Sequence, residues 1–535
     1  MKVTYWLHVD LWPDEDAQLL PLRRLIYYPH HARTQIKFLS FLNFMNATMI
    51  QFFHWYTPGD SFLWNHAAEQ APYLKDLGIT SAWLPPACKG AGGVTSTGYD
   101  VYDLFDLGEF EQKGTVPTKY GDHTQFLNAC NVLKDHGVGV IVDVVLNHRG
   151  GADELETFQV VKVSADNRTE ALSEPVEISS FTKFTFPGRG DKYSRFKWDF
   201  TCFSGVDYAE SEEGNAIYRI INDHGEDWDE VISDEMGNYD FLMLCDVETR
   251  NPHVRAELNH WGSWLHEQTE FYGVRLDAVK HISPEFYQEW LHILRANTGE
   301  NVFAVGEYWA PGDLDLLERY IAATDGCMSL FDSALHHRFH QASETGADYD
   351  LQTILDGSLM MANPLLAVTL VENHDTQPLQ SLEAPVAAWF KPLAYALILL
   401  RAEGYPCVFY PDLYGAKYTD RGSDGEDHEI EIAKVPCLEN LLLARKDHAY
   451  GEQNVYFDEP HLIGFTRLGD SEHSGCAVVM SNGEESAKLM EMGTRYSGAT
   501  FYDMLGHLTQ TVLIGEDGWG NFPCSPASVS VWVAH

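Results

Sequence analysis

Residues 138–148 read VGVIVDVVLNH, a nearly continuous apolar run of the kind found when a β-strand is covered on both faces. The segment before it has the marks of a helix. Asp122 and Gln125 form a capping-box pattern, Phe126, Cys130 and Leu133 fall on one helical face, and Gly137 stands where a helix stops. A helix feeding a covered strand belongs to a βα unit, and such units build parallel sheets. Seven further runs share this rhythm: MIQFFHWY from 49, SAWLPP from 81, VRLDAVKH from 274, FAVGEYW from 303, MSLFDSAL from 328, AVTLVENHDT from 367 and CVFYPDLYG from 407. Eight strands predict an α/β fold of the (β/α)8 TIM-barrel type. Several runs end in polar or charged residues, and in such barrels active sites are assembled at the C-terminal ends of the strands.

GVRLDAVKH, residues 273–281, alternates with period two, setting Val274, Leu276 and Ala278 on one face and Arg275, Asp277 and Val279 on the other. The helix expected after it has Ser283 as cap, Pro284 in its first turn and an apolar stripe of Phe286, Trp290 and Ile293. Roughly a hundred residues, 149–250, separate the third and fourth strands, too many for a βα loop, so they predict an inserted subdomain. From about 450 to 535, short alternating segments such as LIGFTRL, GCAVVMSN and ASVSVWVAH, spaced by turn residues, predict a C-terminal antiparallel β-sandwich. The barrel is then 49–148 and 251–449. Residues 1–48 are read as an extension outside the fold; Met45 and Met49 stand where the patterned sequence begins, as an internal start would.

The formal net charge of −43 argues against nucleic acid and anionic membranes as partners and leaves neutral ligands and cations. Aromatic residues make up 13% of the chain, enough to stack on sugar rings as well as to fill cores. The nine cysteines are odd in number and form no C-x-x-C pair, which fits reduced thiols in a cytoplasmic protein. No secretory signal or membrane span is recognised.

Four segments place a carboxylate or an imidazole at the end of a predicted barrel strand: DVVLNH (143–148), GVRLDAVKH (273–281), GEYW (306–309) and VENHDTQ (371–377). Together, in this order, they resemble the signature regions of the α-amylase superfamily, glycoside hydrolase family 13. The resemblance spans about residues 47–535, includes DLGEFEQKGTVPTKYGD and WFKPLAYALILLR, and is strongest to the bacterial liquefying and cytoplasmic α-amylases.

Retaining hydrolysis of a glycosidic bond takes two carboxyl groups roughly 5–5.5 Å apart, one a nucleophile and the other a proton donor. Arg275, two residues before Asp277, supplies a fixed positive charge that favours an ionised aspartate. Glu307 lies beside Tyr308 and Trp309, where partial burial raises a carboxyl pKa toward that of a general acid. The resemblance implies Asp277 as nucleophile, Glu307 as acid/base, and Asp375 as a third acid that grips sugar hydroxyls and helps keep Glu307 protonated. It further implies substrate contacts from Arg275, His148, His374, Tyr99, Lys280 and Trp309.

The stretch GNYDFLMLCDVETRNP resembles the amylase segment that supplies oxygen ligands to a structural calcium. Asn147, Asp240 and Asp246 match side-chain ligands, and His281 matches a ligand that offers its backbone carbonyl. One Ca2+ is expected. Ser204 and Glu248 stand where liquefying enzymes carry aspartates, which weakens a second metal site. The function implied is endo-hydrolysis of α-1,4 bonds in starch, glycogen or maltodextrin by a cytoplasmic monomer. An α-glucan transglycosylase or exo-acting α-glucosidase would carry the same strand-end motifs, and a glucan-binding protein on a retired barrel would lack one of the acids.

Overall fold

The computed structural model describes residues 46–210, 215–225, 227–299 and 301–535. Eight parallel strands close into a barrel: Met49–Gln51, Ser81–Leu84, Gly139–Val144, Gly273–Leu276, Phe303–Gly306, Ser329–Phe331, Ala367–Leu370 and Tyr405–Phe409. Each lies within, or overlaps, one of the eight runs read from the sequence. The first strand pairs with both the second and the eighth, so no edge is left open. The capping box at Asp122 and Gln125 is formed, the helix His123–Asp135 buries Phe126, Ala129, Cys130 and Leu133, and Gly137 takes a positive φ of 77°.

A six-stranded antiparallel sheet lies between the third and fourth barrel strands, running from His148–Arg149 to Cys245–Val247. After the barrel, a six-stranded antiparallel sheet and the two-stranded antiparallel sheet of Ser486–Glu491 with Trp519–Cys524 enclose a separate core of Leu462, Val479, Met490, Phe501, Phe522 and Trp532. No helix among the described residues is long and apolar enough to cross a membrane.

Four details differ from the sequence reading. Residues 1–45 of the expected extension lie outside the described residues, but Asn46, Ala47 and Thr48 belong to the fold. They are buried around Arg445, whose guanidinium donates to the carbonyls of Asn46 and Ala47 and to Thr48 Oγ1 at 2.9–3.2 Å. The fourth strand stops at Leu276: Ala278 has φ +49°, and Val279–His281 form a 3-10 turn. Alternation in the sequence outlasts the ladder because both faces of the turn stay buried. Ser283 occupies the helix cap position without a side-chain bond, and the stripe of that helix runs through Phe286, Tyr287, Trp290, Leu291 and Leu294, with Ile293 only half-buried. The hairpin of Ala416–Arg421 with Asp427–Ile432, beyond the eighth strand, was not read from the sequence.

Candidate active site

Strand register sets the height of the site. Arg275 pairs with Asp143 on the third strand and with Val305 on the fifth, and Asp277 and Glu307 are the first residues past the ladder. Their amides still donate across it, Asp277 N to Val144 O at 3.0 Å and Glu307 N to Leu276 O at 2.9 Å, which fixes both side chains at the barrel mouth.

Arg275 is fully buried, and its guanidinium holds three carboxylates: Asp143 Oδ1 at 3.0 Å, Asp277 Oδ1 at 2.5 Å and Glu307 Oε2 at 2.7 Å. It therefore acts on the acids rather than reaching outward toward a sugar. Glu307 Oε2 also accepts the Ala278 amide at 3.2 Å, and the left-handed turn at Ala278 is what aims that amide. A residue bearing a Cβ adopts this conformation at a cost of about 1 kcal/mol, so the surrounding packing must impose it.

Burial, with the charges of Asp277 and Asp375 added to it, raises the Glu307 pKa from 4.5 to about 8 although Arg275 pulls the other way. Burial likewise lifts Asp375 to about 7, Arg275 opposing and Asp277 and Asp143 reinforcing. Two acids are thus poised to hold protons near neutrality, as a general acid requires.

Aromatic and imidazole rings line the same space. Tyr99, His374 and Trp55 lie with their planes within 12° of parallel and centroids 5.1–6.1 Å apart. His374 is held neutral, burial driving its pKa well down with help from Arg275, and its Nε2 lies 3.3 Å from Asp375 Oδ2. Its other nitrogen meets the Gln51 amide at 3.0 Å. His148 Nε2 donates to the Tyr99 carbonyl at 2.8 Å. Asp277, Glu307, Asp375, Arg275, Tyr99, His148 and His374 are therefore brought together. Lys280 and Trp309 stand apart from this group in their contacts: Lys280 pairs with Glu235 and lies over the Tyr239 ring, and Trp309 packs half-buried against His336.

Asp143, Trp83, Gln51 and Trp55 were missed from the sequence. Asp143 is the base of the cluster, accepting from Tyr99 OH at 2.8 Å and Trp83 Nε1 at 2.9 Å as well as from Arg275. A single carboxylate inside the apolar run VIVDVV was the signal that could have found it.

Beside this site, at the root of the insert, Asn147 Nδ2 lies 3.4 Å from Asp246 Oδ1 while Asn147 Oδ1 is buried without a partner. Asp240 and Asp246 are both buried, and burial is the larger cause of a rise in each: Asp240 is raised to about 8 with the charges of Asp229 and Glu248 adding to it, and Asp246 well above its usual range with those of Asp240 and Glu248. His281 donates from Nδ1 to the Tyr239 carbonyl at 2.6 Å, next to Asp240. Among the described residues no three His, Cys, Asp or Glu side chains converge on one point. Two uncompensated carboxylates and an orphaned amide oxygen nevertheless fit a hard cation that takes amide and carbonyl oxygens as well.

A TIM barrel whose strand ends pair a buried, proton-holding glutamate with an arginine-bound aspartate has the architecture of a retaining glycoside hydrolase. The chain belongs to the α-amylase family, glycoside hydrolase family 13: residues 63–468 match the α-amylase catalytic domain and residues 477–533 the α-amylase C-terminal domain. It is 49% identical to the cytoplasmic α-amylase of Escherichia coli K12, over 91% of this chain and 99% of that one. To an α-amylase of Geobacillus stearothermophilus it is 46% identical, over 91% and 87%. The crystal structure of an Anoxybacillus α-amylase superposes with a TM-score of 0.60 at 15% identity, covering 92% of this chain and 98% of that one, which supports the fold.

Proposed function

We propose that the protein is an endo-acting α-amylase that cuts internal α-1,4 bonds of glycogen, starch or maltodextrin with retention. The observation that carries the assignment of roles is the single guanidinium shared by Asp277 and Glu307, together with the burial that raises Glu307 to about 8. Asp277 attacks the anomeric carbon as its bond to the leaving oxygen breaks, and Glu307 gives that oxygen its proton. A glycosyl ester on Asp277 results. Glu307, now ionised, takes a proton from water, whose oxygen displaces Asp277 and restores both groups. Asp143 and Arg275 hold the pair, Tyr99 and His374 offer stacked faces to the ring, His148 lies beside them, and Asp375 contacts sugar hydroxyls while opposing ionisation of Glu307. Lys280 and Trp309 act farther along the glucan.

Asn147, Asp240, Asp246 and the His281 carbonyl would hold one Ca2+ at the root of the insert, where it would supply positive charge to a buried acidic pocket. A second ion is disfavoured because Ser204 donates to Asp246 and both oxygens of Glu248 are taken by Arg250, at 2.7 Å each. In this reading the barrel is residues 46–148 and 251–449, the insert 149–250 and the terminal sandwich 450–535, and the enzyme acts as a cytoplasmic monomer. Chromatography of early products from a long maltodextrin tests the activity. Mixed short oligosaccharides are expected; glucose alone, or chains longer than the substrate, would overturn the endo-hydrolytic reading.

A further inference from the structure

Another buried ion cluster lies just past the seventh and eighth barrel strands. Lys391, at the start of the helix Lys391–Leu400, donates to Glu372 Oε2 at 2.8 Å and to Asp412 Oδ1 at 2.6 Å. All three side chains are buried. The two acids come from different strand-end loops. Glu372 lies two residues past the seventh strand, in the loop that carries His374 and Asp375, and Asp412 lies in the short helix Tyr410–Tyr414 past the eighth. Their remaining oxygens are also used: Glu372 Oε1 accepts the Val386 amide at 2.7 Å, and Asp412 Oδ2 accepts the Tyr395 hydroxyl at 2.6 Å. Glu372 therefore ties both ends of the 372–386 loop to one ammonium. Inside that loop, Asn373 Oδ1 accepts the amides of Asp375 and Thr376 at 2.9 Å, so the turn bearing Asp375 follows Glu372 as a rigid piece.

Taking three charges out of water is expensive, and an apolar filling of the same volume often serves stability as well. The geometry of the cluster gives it a use that an apolar filling would not have. We infer that Lys391 and Glu372 are positioning residues for the reaction: the Glu372–Lys391–Asp412 clamp locks the seventh-strand loop against the eighth and so sets the place of Asp375 relative to Asp277 and Glu307. The inference rests on the assignment of Asp375 to the active site made above.

Its consequence passes through charge. Glu307 faces Arg275, Asp277 and Asp375, and Asp375 faces Arg275, Asp277, Asp143 and His374. The negative charge of Asp375 opposes ionisation of Glu307. A loop released from the clamp carries that charge away, Glu307 gives up its proton more readily, and the alkaline limb of the activity profile moves to lower pH.

Glu372→Gln tests this, because it keeps the volume and a hydrogen-bonding end and leaves Lys391 paired with Asp412. Rates on a maltodextrin, pH profiles and melting temperatures are compared with those of the wild type, Lys391→Met and Asp375→Asn. The clamp predicts a folded Glu372→Gln enzyme whose kcat falls about ten- to a hundredfold, the order expected of a small displacement of a catalytic group. KM should change less than kcat, and the alkaline limb should shift to lower pH. A folded Glu372→Gln enzyme with the wild-type kcat and pH profile overturns the inference, whatever its melting temperature. Lys391→Met should lose more than Glu372→Gln; if it does not fold, Glu372→Gln decides alone. Asp375→Asn separates the two levels: if it is inactive while Glu372→Gln is normal, only the clamp fails, whereas activity retained in Asp375→Asn removes the assignment beneath it.

Discussion

Two buried acidic clusters lie on either side of the neighbouring residues Asn147 and His148, and they differ in where their positive charge comes from. At the barrel mouth, Asp143, Asp277 and Glu307 share Arg275, a cation built into the chain. At the root of the insert, Asp240 and Asp246 form no ion pair among the described residues; Arg250 and Arg168 act on them only through space. A built-in cation opposes the rise that burial causes in Asp143 and Glu307, to about 6 and about 8, and lets the carboxyl groups sit together. Asp240 and Asp246 are raised by burial with no such ion pair to offset it, and a cation from solution would relieve them. One cluster is thereby suited to turnover and the other to holding a metal.

The largest effect expected from this contrast is at Asp277. Asp277→Asn keeps the shape and removes the proposed nucleophile, so kcat should fall by at least about ten-thousandfold while glucan binding, measured by calorimetry, changes little. Glu307→Gln should cost about a thousandfold on glucans, and much less on a substrate whose leaving group needs no proton. A similar loss on both substrates would assign Glu307 some other task.

The same glutamate sets a pH dependence. Its pKa is raised from 4.5 to about 8, so the protonated, competent form persists through neutrality and is lost as pH rises above about 8. The rate constant kcat/KM should then fall about tenfold per pH unit on the alkaline side. A limb near pH 5 would mean that Arg275 dominates Glu307 after all.

A chelator that removes the proposed ion should affect stability before chemistry, lowering the melting temperature by roughly 5–10 °C. Asp246→Asn should shrink that response, and an unchanged melting temperature with chelator would count against a tight ion. The smallest change is expected at the stacked ring: Tyr99→Ala should raise KM about tenfold with a modest loss in kcat, the scale of one lost aromatic contact.

Much of this was legible in the sequence. The eight strands announced themselves because a barrel strand is covered on both faces, so its apolar run is interrupted only where it reaches the mouth; DVVLNH and VENHDTQ show that transition directly. The acidic pair was legible because Asp277 and Glu307 are the first residues past their ladders. What stayed hidden depends on contacts between distant segments. Arg275 looked like a partner of Asp277 alone, since nothing local says that strands three and five bring Asp143 and Glu307 to the same guanidinium. Asp143 was hidden inside an apolar run, and Lys391 inside the helical motif WFKPLAYALILLR. The turn at Ala278 was missed because apolar alternation continues through it. The hairpin of Ala416–Arg421 and Asp427–Ile432 has few apolar residues to mark it.

Trapping the covalent intermediate addresses the assignment on which all of this rests. The Glu307→Gln enzyme, incubated with a maltosyl fluoride whose leaving group needs no proton, should accumulate a glycosyl ester, and peptide mass spectrometry should find it on Asp277. An adduct on Glu372 or Asp375, or a product released with inverted configuration and no adduct at all, would contradict the account.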